Sequence, residues 1–269
     1  MDGGRAFIEL RDRLLRGGIG SAHGPAAFDW PAIAHFNWAT DYFDEIATGN
    51  KAAALKVVDD AGGDQTLSYA ELAQRSDQVA AFLAAQGLVA GDRILLMLGN
   101  VVALWETMLA AMKLNAVIIP ATTLLQRSDL MDRIARGRVR AIVTEAHLTG
   151  EFLGLPDGPI RISVGGPATG WIDFGESYAA DGRRRPRVST PADVLLLLDF
   201  TSGTTAKPKL VAHSHTSYPV GHLSTAYWIG LRPGDVHLNL SSPGWAKHAW
   251  SCFFAPWNAE ATVFVLNQR

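Results

Sequence analysis

Largely apolar runs alternate with longer amphipathic segments through most of the sequence, and this alternation constrains the fold more than any other feature. Runs at residues 94–98, 117–119 and 141–144 are separated by segments 101–114 and 126–136, which are long enough to form helices. Strands that alternate with helices of about ten or more residues are typical of parallel βαβ units. The sequence therefore predicts an α/β fold with mainly parallel sheets flanked by helices.

Local signals place several helix ends. Ser68 and Glu71 have the spacing of a capping box, so a helix should begin after Ser68 and end at Gly87. Residues 7–15 carry apolar side chains on one face and predict a short amphipathic helix. Residues 214–228 favour a further helix that ends before Gly230.

Residues 194–198 form an uninterrupted apolar run, which suits a strand buried on both faces, and an unusual loop follows it. Residues 201–205 hold four hydroxyl groups and one glycine. Such a loop offers hydrogen-bond donors to an anion, and its glycine allows close approach. Lys207 and Lys209 follow, although the whole chain has only six lysines. The pattern predicts a phosphate-binding loop; an ordinary Ser/Thr/Gly turn is the alternative.

The loop does not have the order of a Walker motif, G-x-x-x-x-G-K-[ST]. Residues 201–209, TSGTTAKPK, instead resemble the phosphate-loop signature of the AMP-forming acyl- and aryl-CoA synthetases and their adenylation-domain relatives, T-S-G-[ST]-T-G-x-P-K. Eight of the nine positions agree. The departure is Ala206, where the family normally has glycine. If this position needs a positive φ, alanine costs about 1 kcal/mol or more.

The resemblance implies a two-step reaction. A carboxylate attacks the α-phosphorus of ATP to give an acyl-adenylate and pyrophosphate, and the thiol of coenzyme A then displaces AMP. The implied cofactors are ATP, Mg²⁺ and coenzyme A, and the implied substrate is a fatty or related carboxylic acid. No residue of the chain is assigned a catalytic role. The residues that would bind the phosphates are Thr201, Ser202, Gly203, Thr204, Thr205, Lys207 and Lys209.

A second segment carries part of the resemblance. Residues 241–254 contain a glycine–tryptophan pair after a predicted strand, as do acetyl-, medium-chain and related acyl-CoA synthetases, in which this segment borders the acyl pocket. Trp245 and His248 are therefore the candidates for lining an acyl pocket. Aromatic packing within a core helix is the alternative for the same residues.

Charge and composition exclude other classes of function. The formal net charge is −2, so nucleic acid and anionic membranes are not predicted as partners. The arginine-rich run at residues 183–187 has no aromatic platform beside it and predicts a solvated loop. His213 and His215 form an H-x-H pair, but no second cluster with ligand spacing accompanies them, and no metal site is predicted.

The sequence also bears on localisation. Cys252 is the single cysteine, which fits a reducing compartment. No secretory signal and no apolar run of about 18 residues is visible, so no membrane span is expected. These features predict a cytoplasmic protein.

Three parts are predicted along the chain: an N-terminal helix and irregular lead-in at 1–36, a first α/β subdomain at 37–190, and an incomplete second subdomain at 191–269 that begins with the phosphate-loop strand. The resemblance begins at Asn37 and covers only about the first half of a family member. The family's later adenine motif, its ribose aspartate and its C-terminal lysine are not found in this sequence. The fold expected from the resemblance is thus a truncated N-terminal domain of the adenylate-forming type.

Two hypotheses on function follow. The first is the N-terminal part of an ATP-dependent acid–CoA ligase of fatty acid metabolism, inactive on its own. The second is a non-catalytic relative that acts as a binding or regulatory partner. Because the apolar strand at 261–266 is expected to leave an open sheet edge, self-association or a partner chain is predicted.

Overall fold

The computed structural model describes residues 2–17, 32–154, 157–201 and 208–267. The strands, in chain order, are β1 (Ala53–Asp59), β2 (Asp64–Ser68), β3 (Arg93–Met97), β4 (Val117–Pro120), β5 (Val139–Glu145), β6 (Ile160–Val164), β7 (Ile172–Asp173), β8 (Leu195–Thr201), β9 (Lys209–Ser214), β10 (Val236–Leu238) and β11 (Thr262–Asn267). The α-helices are α1 (Gly3–Gly17), α2 (Asp44–Ala47), α3 (Tyr69–Ala85), α4 (Val102–Lys113), α5 (Arg127–Gly137), α6 (Ser217–Gly221), α7 (Leu223–Ile229), α8 (Ala246–Ala249) and α9 (Ala255–Asn258). Two π-helical segments, Trp38–Phe43 and Trp250–Phe254, run into α2 and α9, and 3₁₀ turns cover Ala146–Phe152, Phe174–Ala179 and Gly182–Arg184.

These strands form two sheets. One has the order β7-β6-β5-β3-β4-β8-β9, in which only β9 runs antiparallel to its neighbour. The other has the order β10-β11-β1-β2, in which only β2 is antiparallel. The predicted α/β class with mainly parallel sheets is confirmed. Each sheet contains strands from before and from after residue 190. The division of the chain into subdomains at that residue stays a prediction.

The strand before the phosphate loop is an interior strand, as predicted. β8 lies between β4 and β9, and Leu196 and Leu197 are fully buried. It is longer than the apolar run, because it continues through Asp199 to Thr201. The helix predicted over 214–228 is wrong in its extent: β9 ends at Ser214, and two short helices, α6 and α7, follow. The helical end before Gly230 is confirmed, since that glycine takes a left-handed φ of 81°.

The open edge of the smaller sheet is not where the sequence predicted it. β11 lies between β10 and β1 and is therefore an interior strand. Within the part of the chain that the structure describes, β10 is paired on one side only, and its Val236 and Leu238 are 66% and 50% exposed. The apolar edge thus falls on β10. The sequence shows the apolar character of β11 but not the parallel pairing that covers it.

Aromatic residues join the N-terminal entry segment to the end of the chain. Asn37 caps the π-helical turn by accepting from the backbone N–H of Ala39, and Trp38 donates from Nε1 to Asn258 Oδ1 at 2.9 Å. Tyr42 donates to the backbone oxygen of Trp257 at 2.8 Å. These buried donors are satisfied across more than 200 residues of sequence, so the entry segment and α9 share one core.

A buried charge cluster connects α4 to the arginine-rich run. The ammonium of Lys113 lies 2.7 Å from Asp44 Oδ1 and 2.8 Å from Asp77 Oδ1. Arg185 lies 2.5 Å from Asp77 and 3.4 Å from Asp44. The prediction of a solvated loop at 183–187 is therefore wrong for Arg185, because two carboxylates on other elements draw it inward. It fits Arg183, whose side chain is exposed.

Lys113→Ala should lower the free energy of unfolding by about 3–5 kcal/mol, since it leaves the partly buried Asp44 and Asp77 without their ammonium partner. Urea denaturation monitored by tryptophan fluorescence measures this loss. Lys51→Ala removes an exposed lysine and serves as the control, with a change within about 0.5 kcal/mol. Equal midpoints for the two variants would show that the cluster contributes little.

Candidate functional site

The hairpin of β8 and β9 holds the two described ends of the predicted phosphate loop. The last pair of its ladder is Thr201 with Lys209, so the residues on either side of the loop face each other across the strands. Lys209 is exposed and Thr201 is half-buried. The predicted phosphate-binding residues Ser202, Gly203, Thr204, Thr205 and Lys207, together with the Ala206 departure, lie outside the described residues. The structure thus brings together Thr201 and Lys209.

A buried carboxyl group lies beside this hairpin, and the sequence analysis missed it. Asp199 is two residues before Thr201 on β8 and is 3% exposed. No described residue hydrogen-bonds its Oδ2, which lies 3.9 Å from Nε2 of His213 on β9. Burial raises the pKa of Asp199 to about 6, because the charged form loses its hydration. A polar residue that interrupts an apolar strand was the available signal.

Imidazole and aromatic rings extend from this carboxyl group toward the end of the chain. The ring of Tyr218 lies 4.5 Å from that of His213 and 4.4 Å from that of His222, edge to face in both cases. His222 in turn stacks on Trp250 at 5.7 Å. Burial, and to a smaller extent the nearby His213, lowers the pKa of His222 to about 4. His222 is therefore neutral at physiological pH, and its Nδ1 lies within hydrogen-bond distance of Thr225 Oγ1, at 3.0 Å.

The two histidines of the H-x-H pair have different environments. His215 is fully buried, and burial lowers its pKa to about 3. His213 is partly exposed. Among the residues that the structure describes, no group of three or more His, Cys, Asp or Glu side chains has the arrangement of a metal site.

The two acyl-pocket candidates lie at different depths. Trp245 is 57% exposed and directly precedes α8. His248 is 3% exposed, and its ring lies 5.8 Å from that of Trp105 on α4. Burial lowers the pKa of His248 to about 4, so the imidazole is neutral. His248 therefore packs in the core, which is the alternative interpretation of its sequence context, and a role for either residue in an acyl pocket stays a proposal.

A crevice opens where the order of the larger sheet reverses. β3 and β5 are neighbours, but the chain leaves β3 toward β4 on one side and leaves β5 toward β6 on the other. Ligands of open α/β sheets bind at such points, outside the carboxyl ends of the strands. A cavity of about 660 Å³ occupies this position, and its lining includes Gly99, Thr123, Glu145 and His147. The sequence could not locate it, because the strand order is not visible in the sequence.

The family model for AMP-binding enzymes matches residues 43–269. The chain belongs to the AMP-binding enzyme family. Its similarity to 4-hydroxybutyrate--CoA ligase 1 of Metallosphaera sedula is 34% identity over 251 residues, which covers 87% of this chain and 42% of that protein. It is 31% identical to the uncharacterized acyl--CoA ligase YtcI of Bacillus subtilis, over 90% of this chain and 46% of that protein. The chain therefore spans less than half the length of these relatives.

Solved structures show the same fold. The acetoacetyl-CoA synthetase from Streptomyces lividans superposes with a TM-score of 0.79 at 24% identity, over 89% of this chain and 40% of that one. The Brucella canis acyl-CoA synthetase gives a TM-score of 0.77 at 21% identity, over 96% and 46% of the two chains. The predicted adenylate-forming fold is confirmed. Within the described part of this member of the family, no helix combines the length and apolar character needed to cross a bilayer.

Asp199→Asn tests the buried carboxyl group. Since its pKa rises to about 6 in the native state, wild type loses stability as the pH increases from about 4 to about 6, where the unfolded chain is already ionised. The amide cannot ionise. The stability of the variant relative to wild type should therefore increase by up to about 3 kcal/mol between pH 4 and pH 7.

Urea denaturation of both proteins at several pH values measures this difference, and the buried histidines, present in both, cancel in it. The control is Asp193→Asn, at an exposed position before β8. A constant difference between Asp199→Asn and wild type at all pH values would show that Asp199 ionises normally.

Proposed function

We propose that the chain is the N-terminal, polyphosphate-binding part of an AMP-forming acid–CoA ligase. The observation that carries this proposal is the pairing of Thr201 with Lys209 at the end of the β8–β9 ladder, in a chain that belongs to the AMP-binding family. Relatives named as CoA ligases or as acyl-coenzyme A synthetases match 86–90% of the chain. The proposed reaction joins a fatty or related carboxylic acid to coenzyme A at the expense of ATP.

In this proposal the carboxylate oxygen bonds to the α-phosphorus while the bond to pyrophosphate breaks. The thiol sulfur of coenzyme A then bonds to the acyl carbon, and AMP leaves. The hydroxyl of Thr201 and the ammonium of Lys209 contribute a hydrogen bond and a positive charge to the β- and γ-phosphates, together with the loop between them. Such groups act by positioning the phosphates and neutralising their charge.

The proposed reaction also involves Mg²⁺ and the acyl group of the acid. Among the described residues no three His, Cys, Asp or Glu side chains form a metal site, and no step is assigned to Mg²⁺. The crevice beside Gly99 and Glu145 has the volume of a small-molecule site and lies at the position where the fold class binds ligands. Trp245 and His248 remain the proposed residues near the acyl group.

One observation favours the second function, a non-catalytic binding partner. The exposed apolar residues Val236 and Leu238 lie on β10, a strand that is paired on one side only. An apolar edge of this kind favours self-association or a partner chain. A chain that binds nucleotide, associates through this edge and gives no turnover would fit this alternative.

Lys209→Ala should weaken the binding of ATP or pyrophosphate by roughly 1.5–3 kcal/mol, the value of one charge-assisted hydrogen bond. Titration calorimetry measures both ligands. Lys51→Ala, which removes an exposed lysine before β1, controls for the loss of one positive charge. Equal affinity in wild type and Lys209→Ala would remove Lys209 from the site.

The chain alone should show no carboxylate-dependent exchange of pyrophosphate into ATP. By resemblance, the family's ribose aspartate and adenine motif are not in these 269 residues, so ATP is held by its phosphates only. A misplacement of the α-phosphorus of about 1 Å costs about a hundredfold in rate. The assay uses a panel of short to long carboxylic acids with Lys209→Ala as the background. Exchange well above that background would contradict the second function and show that the first half-reaction occurs.

A further inference from the structure

Helix α5 contacts β8 and the residue that directly precedes β9, through two arginines that the sequence analysis did not single out. Arg133 and Arg136 lie three residues apart and therefore share one face of the helix. Their guanidinium carbons lie 5.1 and 5.3 Å from the ring centroid of Phe200. Phe200 directly precedes Thr201 on β8. Both guanidinium groups are within the range of a cation–π interaction with this ring.

Arg136 also holds the other strand. Its Nη2 donates a hydrogen bond of 2.9 Å to the backbone oxygen of Pro208, which directly precedes Lys209. Its Nη1 lies 2.8 Å from Asp132 Oδ2, one turn earlier on the helix. One planar guanidinium thus joins the helix to the residue before Lys209 while it covers the residue before Thr201. A lysine could not make all three contacts, because it is a compact point charge.

The helix is itself fixed against the sheet. A Cβ added to Gly137, the last residue of α5, would lie 2.6 Å from Cδ1 of Ile119 on β4 and 3.9 Å from the ring of Phe200. The end of α5 therefore packs closely against β4, and a larger residue at position 137 would displace the tip of the Ile119 side chain. β9, in contrast, is an edge strand whose residues from Lys209 to Ala212 are exposed. Among the described residues, β9 has a strand neighbour on one side only. A side chain of α5, Arg136, contacts the residue that directly precedes β9.

The placement of Arg133 costs more free energy than that of an ordinary surface arginine. Its Nε is buried, no described residue accepts a hydrogen bond from it, and burial lowers its pKa. A buried donor without a partner costs stability. Packing alone would favour an apolar side chain here, whereas a positive charge near Thr201 and Lys209 would attract an anion.

We propose that Arg136, with Arg133 beside it, is a positioning residue for the nucleotide phosphates. It fixes the strand ends that carry Thr201 and Lys209, so that the hydroxyl and the ammonium keep their spacing before a polyphosphate arrives. Only the effect on phosphate binding rests on the proposed function. The contact between α5 and the hairpin can be tested without any nucleotide.

The experiment compares Arg136→Gln and Arg136→Lys with Arg127→Gln, an exposed arginine on the same helix that gives the same loss of charge. Hydrogen–deuterium exchange of the nucleotide-free proteins is measured for peptides that cover Phe200–Thr201 and Lys209–Val211. Arg136→Gln should increase exchange there by about tenfold, the value of one lost charged hydrogen bond. Arg127→Gln should leave it unchanged. Unchanged exchange in Arg136→Gln would overturn the proposal.

Titration calorimetry with ATP and with pyrophosphate gives the second readout. Arg136→Gln should weaken binding by about tenfold, and Arg136→Lys should not restore it, because lysine keeps the charge but not the bridge. If Arg136→Lys bound ATP and pyrophosphate as tightly as wild type, a positive charge at this position would be sufficient, and the positioning role would be overturned. Faster exchange with unchanged affinity would also overturn it.

Two further results separate the test of the α5 contact from the test of the proposed function. Wild type that binds neither ligand would contradict the proposed function, while the exchange data would still decide whether α5 holds the hairpin. If Arg136→Gln lowers global stability, Phe200→Leu is used as the test variant instead. It removes the aromatic ring and keeps both arginines. Hydrogen–deuterium exchange at Lys209–Val211 should still increase. Exchange of Phe200→Leu equal to that of wild type would count against the contact.

Discussion

The complete burial of α4 is the constraint on which the rest of the structure depends. All twelve of its residues are buried, and a helix that is apolar nearly all round is stable only inside a protein. Its two charged residues must then find partners on the surrounding elements. Glu106 accepts from Tyr178 and from Arg75. Lys113 pairs with Asp44 at the start of α2 and with Asp77 within α3. These contacts fix how α4 is rotated and which segments lie around it.

The position of α4 determines where the candidate site is built. The helix connects β3 to β4, and β4 pairs with β8, the strand that leads to Thr201. Two features near this strand cost stability: the carboxyl group of Asp199 is buried beside His213, and the Nε of the half-buried Arg133 has no hydrogen-bond partner among the described residues. Local arrangements that lower stability are concentrated at functional sites, because binding needs groups that packing alone would not place there. Asp199 lies on the β8–β9 hairpin and Arg133 packs over Phe200 of the same hairpin, which agrees with the site proposed there.

The sequence was most informative where a signal is local. The capping box of Ser68 and Glu71, the interior strand before Thr201 and the helix end before Gly230 depend on short stretches, and all three are confirmed. Pairing between distant segments was not predictable. The cover that β10 and β1 give to β11, and the inward position of Arg185, each depend on residues far away in the sequence. The same holds for the candidate site: the loop motif indicates its chemistry, but the contacts of Asp199 and Arg136 require the fold.

The antiparallel pairing of β9 in an otherwise parallel sheet has a consequence for how the family's loop can vary. The ladder from Leu195–Ser214 to Thr201–Lys209 sets the register of the hairpin. A slip of one residue would send every side chain of β9 to the opposite face of the sheet. The described ladder ends at Thr201 and Lys209, so this register rests on residues of the two strands, and an exchange of alanine for glycine at position 206 is expected to leave Lys209 opposite Thr201. Under the proposed function, substitutions within the loop can therefore change the affinity for an anion while the positive charge of Lys209 keeps its place.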